Sequence, residues 1–305
     1  MHITAGFCGL LSAALLAAGS APTGVSKTAD PTAATTGGAE PTPIAGAPAI
    51  DTSFHLLYEM KFPEARDRLQ AWEHSHPGDP VGPAAEAATY LFEEFYQQGV
   101  LTSEFFLNDK TFLGGIQGKP NAGRAADFAA TIRRAQDLAQ GELKTNSQDV
   151  NALFAMTIST GMQADYSCII EKHQLQSLHE VRQAQNYAQR LLAVQPQAAD
   201  AYLALGTANY VIGSMPAHTR FFLWFGGIHG DKVAGMKQLS ETAERGHYLR
   251  PFAKLMLALA DLREKQVAPA RQELRELTVE FPQNLLFRRE LVKLTPAPPI
   301  MESRP

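Results

Sequence analysis

Few residues in this chain could do chemistry, and they are scattered. His218, His229 and Asp231 share the stretch PAHTRFFLWFGGIHGD, residues 216–231. An imidazole near a carboxylate in a glycine-rich turn is raw material for general acid–base catalysis, so an enzyme built on this chain would carry its site between His218 and Asp231. The plainer reading is a histidine that hydrogen-bonds the turn. His74 and His76 flank Ser75 at a spacing that chelates metal weakly, and they read as solvated side chains. His173 and His179 lie six apart with Glu180 beside the second, which is not the i, i+4 pair of a zinc-protease helix. Cys168 sits in DYSCIIEKH with only Lys172 and His173 on the next turn, a setting for a small half-buried residue and not for a nucleophile. Glu93 and Glu94 are adjacent, point to different helix faces and read as a solvated edge. GGIQGK, residues 114–119, fails as a phosphate loop because Leu113 and Pro120 stand where a Walker sequence needs Gly and Ser or Thr. These residues predict a chain that catalyses nothing and carries no metal and no cofactor.

The elements that would position any site must come from the rest of the sequence. At 305 residues, 45% hydrophobic and 19% charged, the chain can bury a sizeable core. A net charge of -4 and no run of Lys or Arg argue against nucleic acid. The start, MHITAGFCGLLSAALLAAGSAP, has an apolar run from Phe7 to Ala18 followed by small residues, and predicts a signal peptide over 1–21 with export to the periplasm or beyond the cell. His2 is its only candidate positive charge, and the run is short for a membrane span. Cys8 precedes the apolar run and so is not a lipoprotein cysteine; with the signal removed, Cys168 would be the one cysteine left. Residues 22–50, rich in Ala, Thr, Pro and Gly, predict a disordered linker, and 295–305 a flexible tail.

Between them, over 51–294, the hydrophobic period is helical and no alternating strand pattern appears. The breaks repeat. Ala65, Leu69 and Pro77 are spaced four and then eight, and Ala184, Ala188, Pro196 and Ala270, Leu274, Pro282 repeat those intervals. Such spacing suits a helical hairpin: a small residue admits the neighbouring helix, a larger one fills the contact a turn later, and proline ends the unit. After Pro196, Tyr202, Leu205 and Gly206 stand at the offsets of a W-x2-L-G pattern. On these residues, most specifically from Ala184 to Tyr210, the chain resembles the tetratricopeptide repeat family. The resemblance implies an all-α fold, a right-handed superhelical stack of about five degenerate hairpins. Its helices fall near 51–60 and 63–76, 83–98 and 122–143, 149–164 and 177–194, 199–212 and 231–245, 249–264 and 267–281, with a cap at about 284–294.

Two hairpins carry insertions at corresponding places, about 99–121 and 213–230. Both hold Phe-Phe-Leu, a further aromatic and Gly-Gly-Ile-x-Gly: Phe105, Phe106 and Phe112 in the first, Phe221, Phe222, Trp224 and Phe225 in the second. The family resemblance further implies that the first helices of the hairpins line a concave groove. Carried onto this chain, the lining is Asn151, Phe154, Ile158 and Gly161, then Asp200, Leu203, Thr207 and Tyr210, then Phe252, Leu255, Leu259 and Leu262. That groove is apolar and needs a cover. Either the insertions fold back and fill it, or it takes a guest. The expected function is a non-catalytic scaffold of the cell envelope that binds a protein or peptide partner, with no nucleic acid and no required membrane contact. The alternative is a carrier of a small hydrophobic or lipid ligand in the aromatic-lined groove.

Overall fold

The computed structural model describes residues 47–225 and 228–294. The expected signal segment, the linker up to residue 46, the tail from 295, Gly226 and Gly227 lie outside the described residues, as do the side chains of Leu113, His218, Phe222 and Phe225. Among the described residues the chain is all-helical, with fourteen α-helices and no strand.

Local sequence explains most helix starts. Asn121, Asp149, Asp231 and Asn284 each accept a hydrogen bond from a first-turn amide, satisfying donors that a helix leaves open at its start. The helices pair in sequence order. α1 (Pro48–Tyr58) packs on α2 (Phe62–Ser75), and α3 (Val81–Gln97) on α6 (Ala122–Thr145) across an insertion holding the short helices α4 (Ser103–Leu107) and α5 (Asp109–Gly114). α7 (Val150–Asp165) runs on into a π turn, Tyr166–Ile170, and packs on α8 (Gln174–Val194). A 3-10 turn, Ala199–Ala201, leads into α9 (Tyr202–Ser214), then α10 (Ala217–Phe225) in the second insertion, then α11 (Lys232–Arg245). α12 (Arg250–Arg263), α13 (Val267–Glu280) and α14 (Leu285–Lys293) complete the order. α1 thus begins three residues before the expected domain start, and Ile50 is already core, 1% exposed.

The pairs are antiparallel. Gly206, Tyr210 and Gly213 along α9 meet Leu239, Gly235 and Lys232 in reverse order along α11. Arg250 and Lys254 of α12 likewise bind Glu280 and Glu276 of α13. The repeating small and medium residues lie in these contacts: Ala65, Leu69, Ala184, Ala188, Ala270 and Leu274 are all buried. Close approach is extreme between α9 and α11, where a Cβ on Gly213 would stand 2.4 Å from the Lys232 amide nitrogen.

Among the described residues, the end of α1 meets the segments that lead into α12 and α14. The Tyr58 hydroxyl donates to the Tyr248 carbonyl at 2.9 Å, the Asn284 amide donates to the Tyr58 carbonyl at 2.7 Å, and the Gln283 amide donates to Glu59 at 2.9 Å. Aromatic rings fill the space inside. Phe54 stacks on Tyr248 at 4.7 Å, Phe92 meets Phe252 edge-on at 5.0 Å, and Phe154 lies 5.8 Å from Tyr248. The positions expected to line an open groove therefore belong to the core. Phe154, Ile158, Tyr210, Leu255 and Leu259 are buried, and Leu203, Thr207 and Phe252 are partly buried. Asp200 is buried too, and its carboxylate binds the amides that open α12. Glu93 and Glu94 are not a solvated edge: Arg124 grips both at 2.8 Å, and Glu94 is only 3% exposed.

Candidate functional site

The two insertions look alike in sequence and end differently. The first is held down at both ends. Arg263 on α12 donates to the Phe106 carbonyl at 2.7 Å, pairs with Asp109 and lies 6.0 Å from the centre of the Phe112 ring. On α14, Glu290 accepts from the Ser103 amide at 3.2 Å and Lys293 pairs with Glu104 at 2.6 Å. Gly115, with φ 67°, turns the chain so that the Ile116 amide reaches the Ile169 carbonyl of the π turn at 2.9 Å. Phe105 is buried, and Phe106 and Phe112 are partly buried and in edge or tilted contact with it and with each other.

The second insertion is tied less. The Arg220 guanidinium donates to the Gly213 carbonyl at 3.2 Å, and the Ile228 amide to the Leu223 carbonyl at 2.9 Å. Phe221 is 56% exposed and Trp224 57%. The aromatics of the first insertion are thus buried or partly buried against the fold, while Phe221 and Trp224 of the second are more than half exposed.

A cleft lies where the insertions approach the last hairpin. Its inner part is an apolar slot of about 30 Å³ walled by Phe106, Phe112, Tyr210, Met256 and Leu259. Ser214, Met215 and Arg263 also line an open depression of about 580 Å³ at the surface, together with Arg220, Asp231, Lys232, Val233 and Glu264. The Tyr210 hydroxyl donates to the Ala260 carbonyl at 3.2 Å and lies 3.3 Å from Glu264. Burial first, and Glu264 second, push the Tyr210 phenol up to about 12, so it stays a neutral donor. In the depression Lys232 pairs with Glu264 at 2.7 Å. The cleft is apolar inside, and at its lip Lys232 is paired with Glu264 and Arg263 with Asp109, while Arg220 and Asp231 stand outside those pairs; it is suited to holding an apolar group, with no nucleophile–base pair among the described lining residues.

The other sequence candidates do not come together. Asp231 caps α11, accepting from the Val233 amide at 2.8 Å and the Ala234 amide at 3.0 Å, while His229 is exposed with its ring 6.5 Å from that of Trp224. His76 stacks on Trp72, and His173 faces Glu171 at 3.4 Å on the surface. The Cys168 thiol is raised above its usual range by burial and by the nearby Asp165 carboxylate, the opposite of what a nucleophile needs. Among the described residues no group of three His, Cys, Asp or Glu side chains is placed to hold a metal, and no helix is long and apolar enough to cross a membrane.

Of the residues singled out in the sequence, Phe106, Phe112, Tyr210, Leu259 and Asp231 line this cleft, whereas Met215, Arg220, Lys232, Met256, Arg263 and Glu264 were not among them. Arg220 and Lys232 flank the aromatic stretch and were legible there; Arg263, 154 residues from Asp109, gave no signal. No protein-family model matches the chain, and no curated protein matches it as a relative.

Proposed function

We propose that the chain is a non-catalytic binding protein of the cell envelope, exported by its N-terminal segment and built as a tetratricopeptide-like right-handed stack of five hairpins. On this reading a protein or peptide partner is recognised at the cleft between the insertions and the last hairpin, and not along the concave face. The observation that carries it is the slot walled by Phe106, Phe112, Met256 and Leu259, which shares Ser214, Met215 and Arg263 with an open depression of mixed charge. Met215 and Met256 are unbranched and adapt to a guest side chain, which favours an apolar peptide segment. A carrier of a free lipid fits less well, because the slot of about 30 Å³ must widen by moving Met215 or Met256 for any guest, and one peptide side chain asks less of it than an acyl chain.

A photoreactive benzoylphenylalanine at Met215 is expected to cross-link a discrete partner in envelope extract, while the same group at Val279, 77% exposed on α13, gives none. Adducts of equal yield at both positions would refute recognition at the cleft. A lipid mass retained on the purified protein in native mass spectrometry would favour the carrier instead.

A further inference from the structure

α10 presents an unusual surface. Ala217, Arg220, Phe221 and Trp224 are all exposed and stand at i, i+3, i+4 and i+7, so they share one face of the helix. Beside it, at the start of α11, Val233 is 76% exposed and lines the open depression together with Arg220. Phe221, Trp224 and Val233 are each more than half exposed, and that much apolar surface turned to water is costly to a monomer.

Among the charges around them, two cations are left without an ion pair among the described residues. The Arg220 guanidinium meets a backbone carbonyl and no carboxylate among the described residues. Lys237, one turn along α11 from Val233, is exposed and forms no ion pair among them either. Lys232 is neutralised by Glu264, and the nearby acid, Asp231, is engaged by two amides at the N-terminus of α11. A face carrying two uncompensated cations stands on a chain whose formal charge is -4.

We propose that this face docks on an anionic lipid surface. Phe221, Trp224 and Val233 enter the boundary between headgroups and acyl chains, where tryptophan and phenylalanine partition well, and Arg220 and Lys237 sit at the phosphates. A lipid surface accommodates this mixture without a complementary shape. A second copy of the chain suits it less, because a twofold contact would set Arg220 and Lys237 against their own counterparts. The surface meets the cleft at Arg220 but does not depend on what the cleft holds.

The test uses the full chain with Trp72→Phe, which leaves Trp224 as its tryptophan. Vesicles of phosphatidylcholine alone are compared with vesicles also containing phosphatidylglycerol, each with bromine-labelled acyl chains. Anionic vesicles are expected to shift Trp224 emission to the blue and quench it, and neutral ones to do neither. Arg220→Gln and Lys237→Gln should each weaken binding about fivefold, and Phe221→Ser about tenfold or more. Lys237 is exposed, so Lys237→Gln should leave thermal stability unchanged and serves as the folding control for Phe221→Ser and for Arg220→Gln, which also loses the bond to the Gly213 carbonyl. Binding that leaves Trp224 unquenched would mean that another segment holds the membrane and would overturn the proposal. Equal quenching in neutral and anionic vesicles, or no binding to either, would overturn it as well.

Discussion

Asp200→Ala is expected to destabilise the protein by about 4 kcal/mol, because it orphans several buried donors at once. The Asp200 side chain is reached by the His247 amide at 2.8 Å, the Tyr248 amide at 3.0 Å and the Leu249 amide at 3.1 Å. Leu249 is the N-cap of α12 and His247 and Tyr248 are the two residues before it, so the carboxylate fixes the segment that leads into the helix, at the end where its dipole favours negative charge. Burial raises the Asp200 carboxyl above its ordinary value, and the three amides pull it back. Gly246 leaves the room: a Cβ there would stand 2.7 Å from the carboxylate oxygen. The same segment carries Tyr248, whose ring packs on Phe54 of α1, so a loosened α12 start also loosens its contact with α1. Asp200→Asn keeps one good acceptor and should recover part of the loss. Urea denaturation of the three proteins decides the matter; a change under about 1 kcal/mol for Asp200→Ala would show that water replaces the carboxylate.

Gly235→Ala should cost about 3 kcal/mol, whereas Gly161→Ala should add roughly 0.5–1 kcal/mol of stability. A Cβ at Gly235 would lie 2.4 Å from the Tyr210 amide nitrogen and 2.7 Å from its Cα, and backbone cannot step aside as a flexible side chain does. α9 and α11 would have to separate, uncovering Leu239 and shifting Tyr210 at the slot. At Gly161, within α7, a Cβ meets nothing within 4 Å, so alanine brings only its better helix propensity. Thermal or urea melts of both variants should move in opposite directions. A Gly235→Ala protein as stable as the parent would mean that the two helices have slack that the packing does not suggest.

The sequence made the hairpins legible because their signals are local. The Ala-Leu-Pro intervals and capping residues such as Asn121, Asp149 and Asn284 act within a turn or two, and the helices lie within a few residues of where those signals put them. Closure of the chain on itself was not legible. It depends on Tyr58 meeting Tyr248 across 190 positions and on rings whose spacing has no period. Without it, Phe154, Leu255 and Leu259 read as the floor of an open groove. The two aromatic insertions show the same limit. Their motifs are nearly interchangeable, but Arg263 and Lys293 hold one of them and leave the other, and nothing near Phe105 or Phe221 in the sequence announces which. Asp200, expected at the groove by its position in the repeat, is instead the anchor of α12, a role visible only when residues 247–249 are seen beside it.

The positions expected to line a groove are buried or partly buried in the fold, while Phe221 and Trp224 of the second insertion face outward. Iodide quenching of Trp224 in a Trp72→Phe protein tests this most directly. The account predicts emission like that of a water-exposed indole and quenching close to that of free tryptophan. Emission shifted to the blue and protected from iodide in the isolated protein would place Trp224 inside the fold and contradict it.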